Sequence, residues 1–213
     1  MRGVRTALAA GLALMVVAGV LVLCEHPLVV LASNSIAPNA TLGVASNNAT
    51  ACQGGERLPA GTRAIRLSLW ALTGPAIKLS AFSGGHLVTS GERSSGWDGE
   101  RVTVPVSTVL TPAAASICFA IPTAGVEHVT LFGSDTNPAA AAHAGNGQAL
   151  AGRLRIEYLG RGHSSWLALL PSVASHMGRG RAWSGIWVVY VVVLAMLAVT
   201  GLVSRLITRE LHA

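Results

Sequence analysis

Two apolar segments, Ala7 to Cys24 and Ile186 to Val203, stand near the ends of a chain whose middle is polar and patterned in short strands. A helix crosses about 30 Å of hydrocarbon with roughly 20 apolar residues, and each segment approaches that length. The pair dictates one globular domain held against a lipid bilayer at both its ends. With the two spans set aside, roughly 150 of the 213 residues remain, enough for a single domain with its own core. Charged residues make up only 11% of the chain, which suits a membrane protein. Of the 15 basic side chains all but Lys78 are arginine, and they are scattered, with no run that a nucleic acid would need. The Arg and Ala bias points to a high-GC bacterial genome.

The first segment follows a short basic leader, Met1 to Thr6, and carries no charge until Glu25. That pattern describes a secretory signal peptide or an uncleaved anchor, and the h-region of a signal peptide is usually about 7–15 residues. Ala7 to Cys24 has eighteen, so the reading is a retained helix, with cleavage after small residues near Val30-Leu31-Ala32 as the alternative. Leu23 precedes Cys24 where lipidation needs a small residue. At the other end Trp183, Trp187 and Tyr190 form an aromatic interface, with Arg205 and Arg209 beyond the span and Arg179 and Arg181 before it. Both termini then lie in the cytoplasm and the middle lies outside the cell membrane. The expected order is 1–6 cytoplasmic, 7–24 a transmembrane helix, 25–51 a linker with a strand near Ala40 to Val44, 52–162 the domain, 163–182 a membrane-surface helix and basic joint, 183–205 a transmembrane helix, and 206–213 a cytoplasmic tail.

Cys52 and Cys118 fall in the exported region, where oxidation is permitted, and are expected to form a disulfide. From Leu58 the chain alternates as strands do: Ile65, Leu67 and Leu69 oppose Arg66, Ser68 and Trp70, and Leu154, Ile156 and Tyr158 oppose Arg153, Arg155 and Glu157. Seven or so such runs, separated by Gly and Pro turns and without helical pattern, predict an all-β ectodomain, an antiparallel β-sandwich approaching the jelly-roll type. Helical spacing of Trp166, Leu169, Leu170, Val173 and Met177 predicts an apolar helix beginning near Pro171 and ending at Gly178. The sequons Asn39-Ala40-Thr41 and Asn48-Ala49-Thr50 are read as chance matches in a bacterial chain.

Catalytic signatures are missing: there is no G-x-S-x-G, P-loop, H-E-x-x-H, C-x-x-C or G-x-G-x-x-G. The expectation is therefore a non-enzymatic protein with no cofactor and no assigned metal. The best binding candidate is the polar loop Glu92 to Arg101, where Trp97 stands among Arg93, Asp98, Glu100 and Arg101, with Trp70 and Tyr158 as contributors. An exposed indole beside carboxylates and guanidinium groups suits a sugar ring, whose C–H face stacks while its hydroxyls take hydrogen bonds. A Trp beside Gly at a corner is also a common core plug. The roles that follow are a membrane-anchored binding or scaffold protein of the envelope recognising a glycan, or an accessory subunit of a transport or polysaccharide-assembly complex with a membrane-protein partner. A metal-binding module using His86, His128, His143 and His163 is the weaker third.

Overall fold

The computed structural model describes residues 2–45, 48–122, 128–136, 141–178, 201 and 205. The chain divides into a helical unit, Met1–Pro27 with Gly162–Ala213, and a β unit, Leu28–Arg161.

In the helical unit, α1 spans Arg2–Cys24 and α2 spans Trp166–Gly178. Backbone bonds from Gly162 N to Pro27 O (2.8 Å) and from Trp166 N to Glu25 O (3.0 Å) tie the end of α1 to the start of α2. The helix α2 starts five residues before Pro171, not at it. Ser165 supplies the reason: its Oγ accepts from Ala168 N and its carbonyl from Leu169 N, which caps the first turn. Pro171 then lies inside the helix at the cost of one intrahelical bond.

Among the described residues no helix is long and apolar enough to cross a membrane, so the expectation of two flanking transmembrane helices finds no support there. With 13 residues, α2 is about 20 Å long at 1.5 Å per residue, short of a span. The described side chains of α1 begin at 10, and Leu14, Met15, Val16, Val17, Val20, Leu21 and Val22 are all more than half exposed. The expected span Ile186 to Val203, with Arg179, Arg181, Trp183, Trp187 and Tyr190, lies outside the described residues save Gly201.

The β unit is built from β1 (Leu28–Ser33), β2 (Ala40–Ala45), β3 (Ala49–Leu58), β4 (Thr62–Leu67), β5 (Leu69–Gly74), β6 (Ile77–Ser83) and β7 (His86–Arg93). There follow β8 (Trp97–Gly99), β9 (Val102–Pro105), β10 (Ala113–Ile121), β11 (Val129–Ser134), β12 (His143–Ala144), β13 (Arg153–Leu154) and β14 (Ile156–Arg161). One sheet runs β1-β14-β4-β9, a second β12-β3-β10-β6-β7, and a third β13-β11-β5-β8 with β2 on β11. These ladders are antiparallel.

Alternation accounts for the layers. On β10 the inward set is Ala115, Ile117, Phe119 and Ile121, on β6 it is Ile77, Leu79 and Ala81, and across β4 and β5 it is Ile65, Leu67, Leu69 and Ala71. All join one apolar core with Val102, Val104, Leu131, Ile156 and Tyr158, so burying one face of each sheet holds the unit together. The first and third sheets part at a fork. Ser68 N bonds Arg155 O (3.3 Å), Arg155 N bonds Phe132 O (3.3 Å), and Phe132 N bonds Ser68 O (3.0 Å). There β11 enters between the strands that pair directly as β4 and β14.

The stretch 25–51, expected as a linker with a strand near Ala40 to Val44, carries that strand as β2 and is strand also in β1 and the start of β3. Its alternation is weak because β1 is an edge strand with Leu28, Val29, Val30 and Leu31 all part-exposed, and because β2 and the start of β3 use Ala, Gly and Thr where larger residues would mark a face. Leu28 and Arg161 are register partners, so the chain enters and leaves the β unit on neighbouring strands.

Candidate functional site

The loop expected to display Trp97 instead buries it. Trp97 is 5% exposed, and its Nε1 donates to Pro75 O at 2.7 Å. The indole lies on Gly74, its ladder partner, where a Cβ would collide with the ring. Gly96, at φ 93°, turns the chain into this position with a backbone that other residues rarely adopt. Trp97 is thus a core plug, and a sugar cannot stack on it. Arg93, Asp98, Glu100 and Arg101 remain exposed around it. Tyr158, at 1% exposure, is also in the core.

Trp70 is the aromatic candidate that faces outward, 39% exposed. Thr130 of β11 is in register with Trp70 on one side and with Val44 of β2 on the other. Residues paired directly across antiparallel strands share a face, so Val44, Thr130 and Trp70 form a row across three strands. Leu72, two residues along β5 and 75% exposed, extends that face. On the same sheet Phe132 joins Pro38, Ser68, Glu100 and Arg101 around a shallow groove of about 90 Å3. Three of the seven candidates, Trp70, Glu100 and Arg101, therefore belong to one outward-facing sheet and its groove. Val44, Thr130, Phe132 and Pro38 were not foreseen; alternation within 126–132 marked a strand but not its neighbours.

A polar cluster centred on Glu56 is buried inside the β unit and was not legible in the sequence. Glu56, 2% exposed, accepts from Tyr158 Oη (2.9 Å), Arg153 (2.6 Å), Gln53 Nε2 (2.5 Å) and Asn34 Nδ2 (3.3 Å). Gln53 and Asn34 also clasp β13: Gln53 Oε1 accepts from Leu154 N, and both side-chain amides donate to Leu154 O. Burial first, and then the Glu56 carboxylate, push the Tyr158 hydroxyl well above its ordinary range. Nearby, Glu157 accepts from Arg155 (2.6 Å) and Arg66 (3.2 Å). Its burial opposes ionisation, but the hydrogen bonds and charges of Arg155 and then Arg66 outweigh it and hold the carboxyl below its ordinary range. The face expected to present Glu157 to solvent is therefore closed over by two guanidinium groups. Each of these carboxylates is paired with arginine, and the network around Glu56 locks β3 to β13 and β14.

Cys52 and Cys118 are joined at 2.09 Å between register partners on β3 and β10, with Cα atoms 4.0 Å apart. Cys24 is free and exposed. Among the described residues no three His, Cys, Asp or Glu side chains gather as a metal site requires, so the histidine alternative finds no geometry there. Compared with known proteins, the chain matches no family model, no curated protein and no solved structure.

Proposed function

We propose that the protein is a non-enzymatic, membrane-anchored binding module of the bacterial envelope. Its β unit, read as a sandwich, lies outside the cytoplasm, is held at the membrane through the apolar segments that flank it in sequence, and recognises a glycan through the outer face of β2, β11 and β5. The observation that carries the reading is the row Val44–Thr130–Trp70. It offers an indole face for stacking, a hydroxyl beside it, and the carboxylate and guanidinium of Glu100 and Arg101 at the adjoining groove, the mixture a sugar takes.

Two further observations support the location. Seven apolar side chains of α1 between Leu14 and Val22 are more than half exposed. At about 1.5–3 kcal/mol for each side chain of this kind moved out of water, leaving them hydrated costs on the order of 10 kcal/mol, comparable with a domain's whole stability. Lipid covers such a surface. The Cys52–Cys118 bond fits an oxidising compartment.

Co-sedimentation of the full-length protein, in mild detergent, with insoluble cell-wall polysaccharide tests the reading. Trp70→Ala is expected to lower retention at least tenfold with unchanged melting, and equal retention by the variant counts against it. A second reading, an accessory subunit of a transport or polysaccharide-assembly complex, draws on β1, whose Leu28, Val29, Val30 and Leu31 stay 37–51% exposed on an edge strand. It predicts stable co-purification with other membrane proteins.

A further inference from the structure

We propose that the β unit holds a second site, beside the Trp70 face and sharing only Val44 with it: a half-open cavity that takes an uncharged ligand with an apolar body and a hydrogen-bonding end. The cavity has a volume of about 520 Å3, within the range of small-molecule sites. Its walls come from two different sheets: Ala45 and Leu131 on one side, Ala51 and Phe119 on the other.

Side-chain size explains the hollow. Elsewhere alanines such as Ala71, Ala81 and Ala115 stand among larger Leu, Ile and Val side chains, but here Ala45, Ala49, Ala51, Ala144 and Gly145 line one space together. Phe119 stands opposite Ala51 in the β10–β3 register, and Ala144 flanks Ala51 from β12. No described residue of the lining is charged. The apolar lining of Leu131, Phe119, Leu150 and Val44 meets a polar set of Asn48, Thr50 and Asn146. Asn48, at φ 57°, is one of the few residue types that tolerate that turn. A charged ligand would lose its hydration here without a counter-charge. An apolar body loses nothing and gains contact, and its polar end meets three side chains able to bond it.

The wall is braced. Cys52 and Cys118, joined by the disulfide, directly follow Ala51 and precede Phe119, and Gly145 N bonds Thr50 O at 2.6 Å. A preformed cavity binds without first ordering its own walls. Two sources supply this ligand chemistry, the chain of a membrane lipid or a free neutral metabolite.

The test is photolabelling of the full-length protein in its native membranes with a small neutral apolar carbene reagent, an iodophenyl trifluoromethyl diazirine, followed by peptide mapping. Within the β unit, label is expected to saturate and to concentrate on the peptides carrying residues 44–51 and 144–150. Ala144→Leu and, independently, Ala49→Met fill the space and are expected to cut that label at least tenfold while leaving label on α1 unchanged. Higher labelling after delipidation identifies a lipid chain as the resident; equal labelling identifies a free small molecule. Label spread evenly over the β unit, or unaffected by either filling variant, overturns the proposal. Polysaccharide retention by the same variants should be unchanged, which separates this site from the Trp70 face.

Discussion

Glu56→Ala should cost the β unit about 4 kcal/mol, and the figure follows from counting what the carboxylate leaves behind. Four donors converge on it, but two have another acceptor: Asn34 Nδ2 and Gln53 Nε2 both also bond Leu154 O. The groups stranded are Tyr158 Oη and the Arg153 guanidinium, whose Nε is already without a partner. A buried hydroxyl left unsatisfied costs about 1–3 kcal/mol. Stripping one partner from a buried ion pair costs about 3–5 kcal/mol, reduced here because the Arg153 side chain is 21% exposed and water can reach it. A sum of about 4 kcal/mol allows about 2 for each. Tyr158→Phe removes one hydrogen bond to a charged group and leaves Glu56 three donors, so it should cost about 1–2 kcal/mol. In the double variant the stranded hydroxyl vanishes, and the two costs should fall short of additive by at least about 1 kcal/mol. Denaturant unfolding followed by the fluorescence of the buried Trp97 measures all three. A loss below about 1 kcal/mol for Glu56→Ala would refute the idea that this network locks β3 to β13 and β14.

Reducing the Cys52–Cys118 bond should destabilise the β unit by about 4 kcal/mol, since the two cysteines are 66 residues apart and loop closure of that length carries about this much chain entropy; unfolding with and without reductant reads it. Gly74→Ala should cost at least about 2 kcal/mol by forcing a Cβ into the Trp97 ring, seen as a lower melting temperature with a red-shifted Trp emission. Stability should fall at both ends of the pH scale. Glu157 is depressed when folded, so its contribution is present above the unfolded value of about 4.5 and lost as pH falls below it. Tyr158 keeps its proton when folded while the unfolded chain releases it near pH 10, so stability falls as pH rises past 10. Glu157→Gln should flatten the acid limb and Tyr158→Phe the alkaline one in pH-dependent melting.

The antiparallel β character and the disulfide were readable because both rest on local signals: alternation in runs such as Arg63 to Leu69, and two cysteines in a segment expected to be exported. Trp70 was readable as an outward residue for the same reason, since period-two alternation fixes the side of the strand. Trp97 was readable both as a binding platform and as a core plug, because its charged neighbours are local while the space that receives it, at Gly74, lies more than twenty residues away. A strand near Ala40 to Val44 was readable, but β1 and the start of β3 were hidden by small or edge-exposed residues, which lack the contrast that alternation needs. Glu56 illustrates the same limit. A carboxylate near Gly and Arg in sequence reads as surface, and only the pairing of β3 with β10 and the approach of Tyr158 and Arg153 make it the centre of a buried network. The Ala-lined cavity was equally invisible, because Ala45, Ala49, Ala51 and Ala144 come from three strands and nothing local announces that they meet in one place.

The proposed glycan recognition and the proposed membrane anchoring both depend on where the β unit resides. Ser95 lies in the exposed turn before Trp97, and a Ser95→Cys variant in a Cys24→Ser background places one reactive thiol there beside the oxidised Cys52–Cys118 pair. Treating intact cells with a membrane-impermeant maleimide, then washing the membranes with alkaline carbonate, reports location and anchoring together. A β unit anchored outside the cytoplasm gives a labelled protein that stays in the washed membrane pellet; labelling only after lysis, or release of the protein into the wash, rules that placement out.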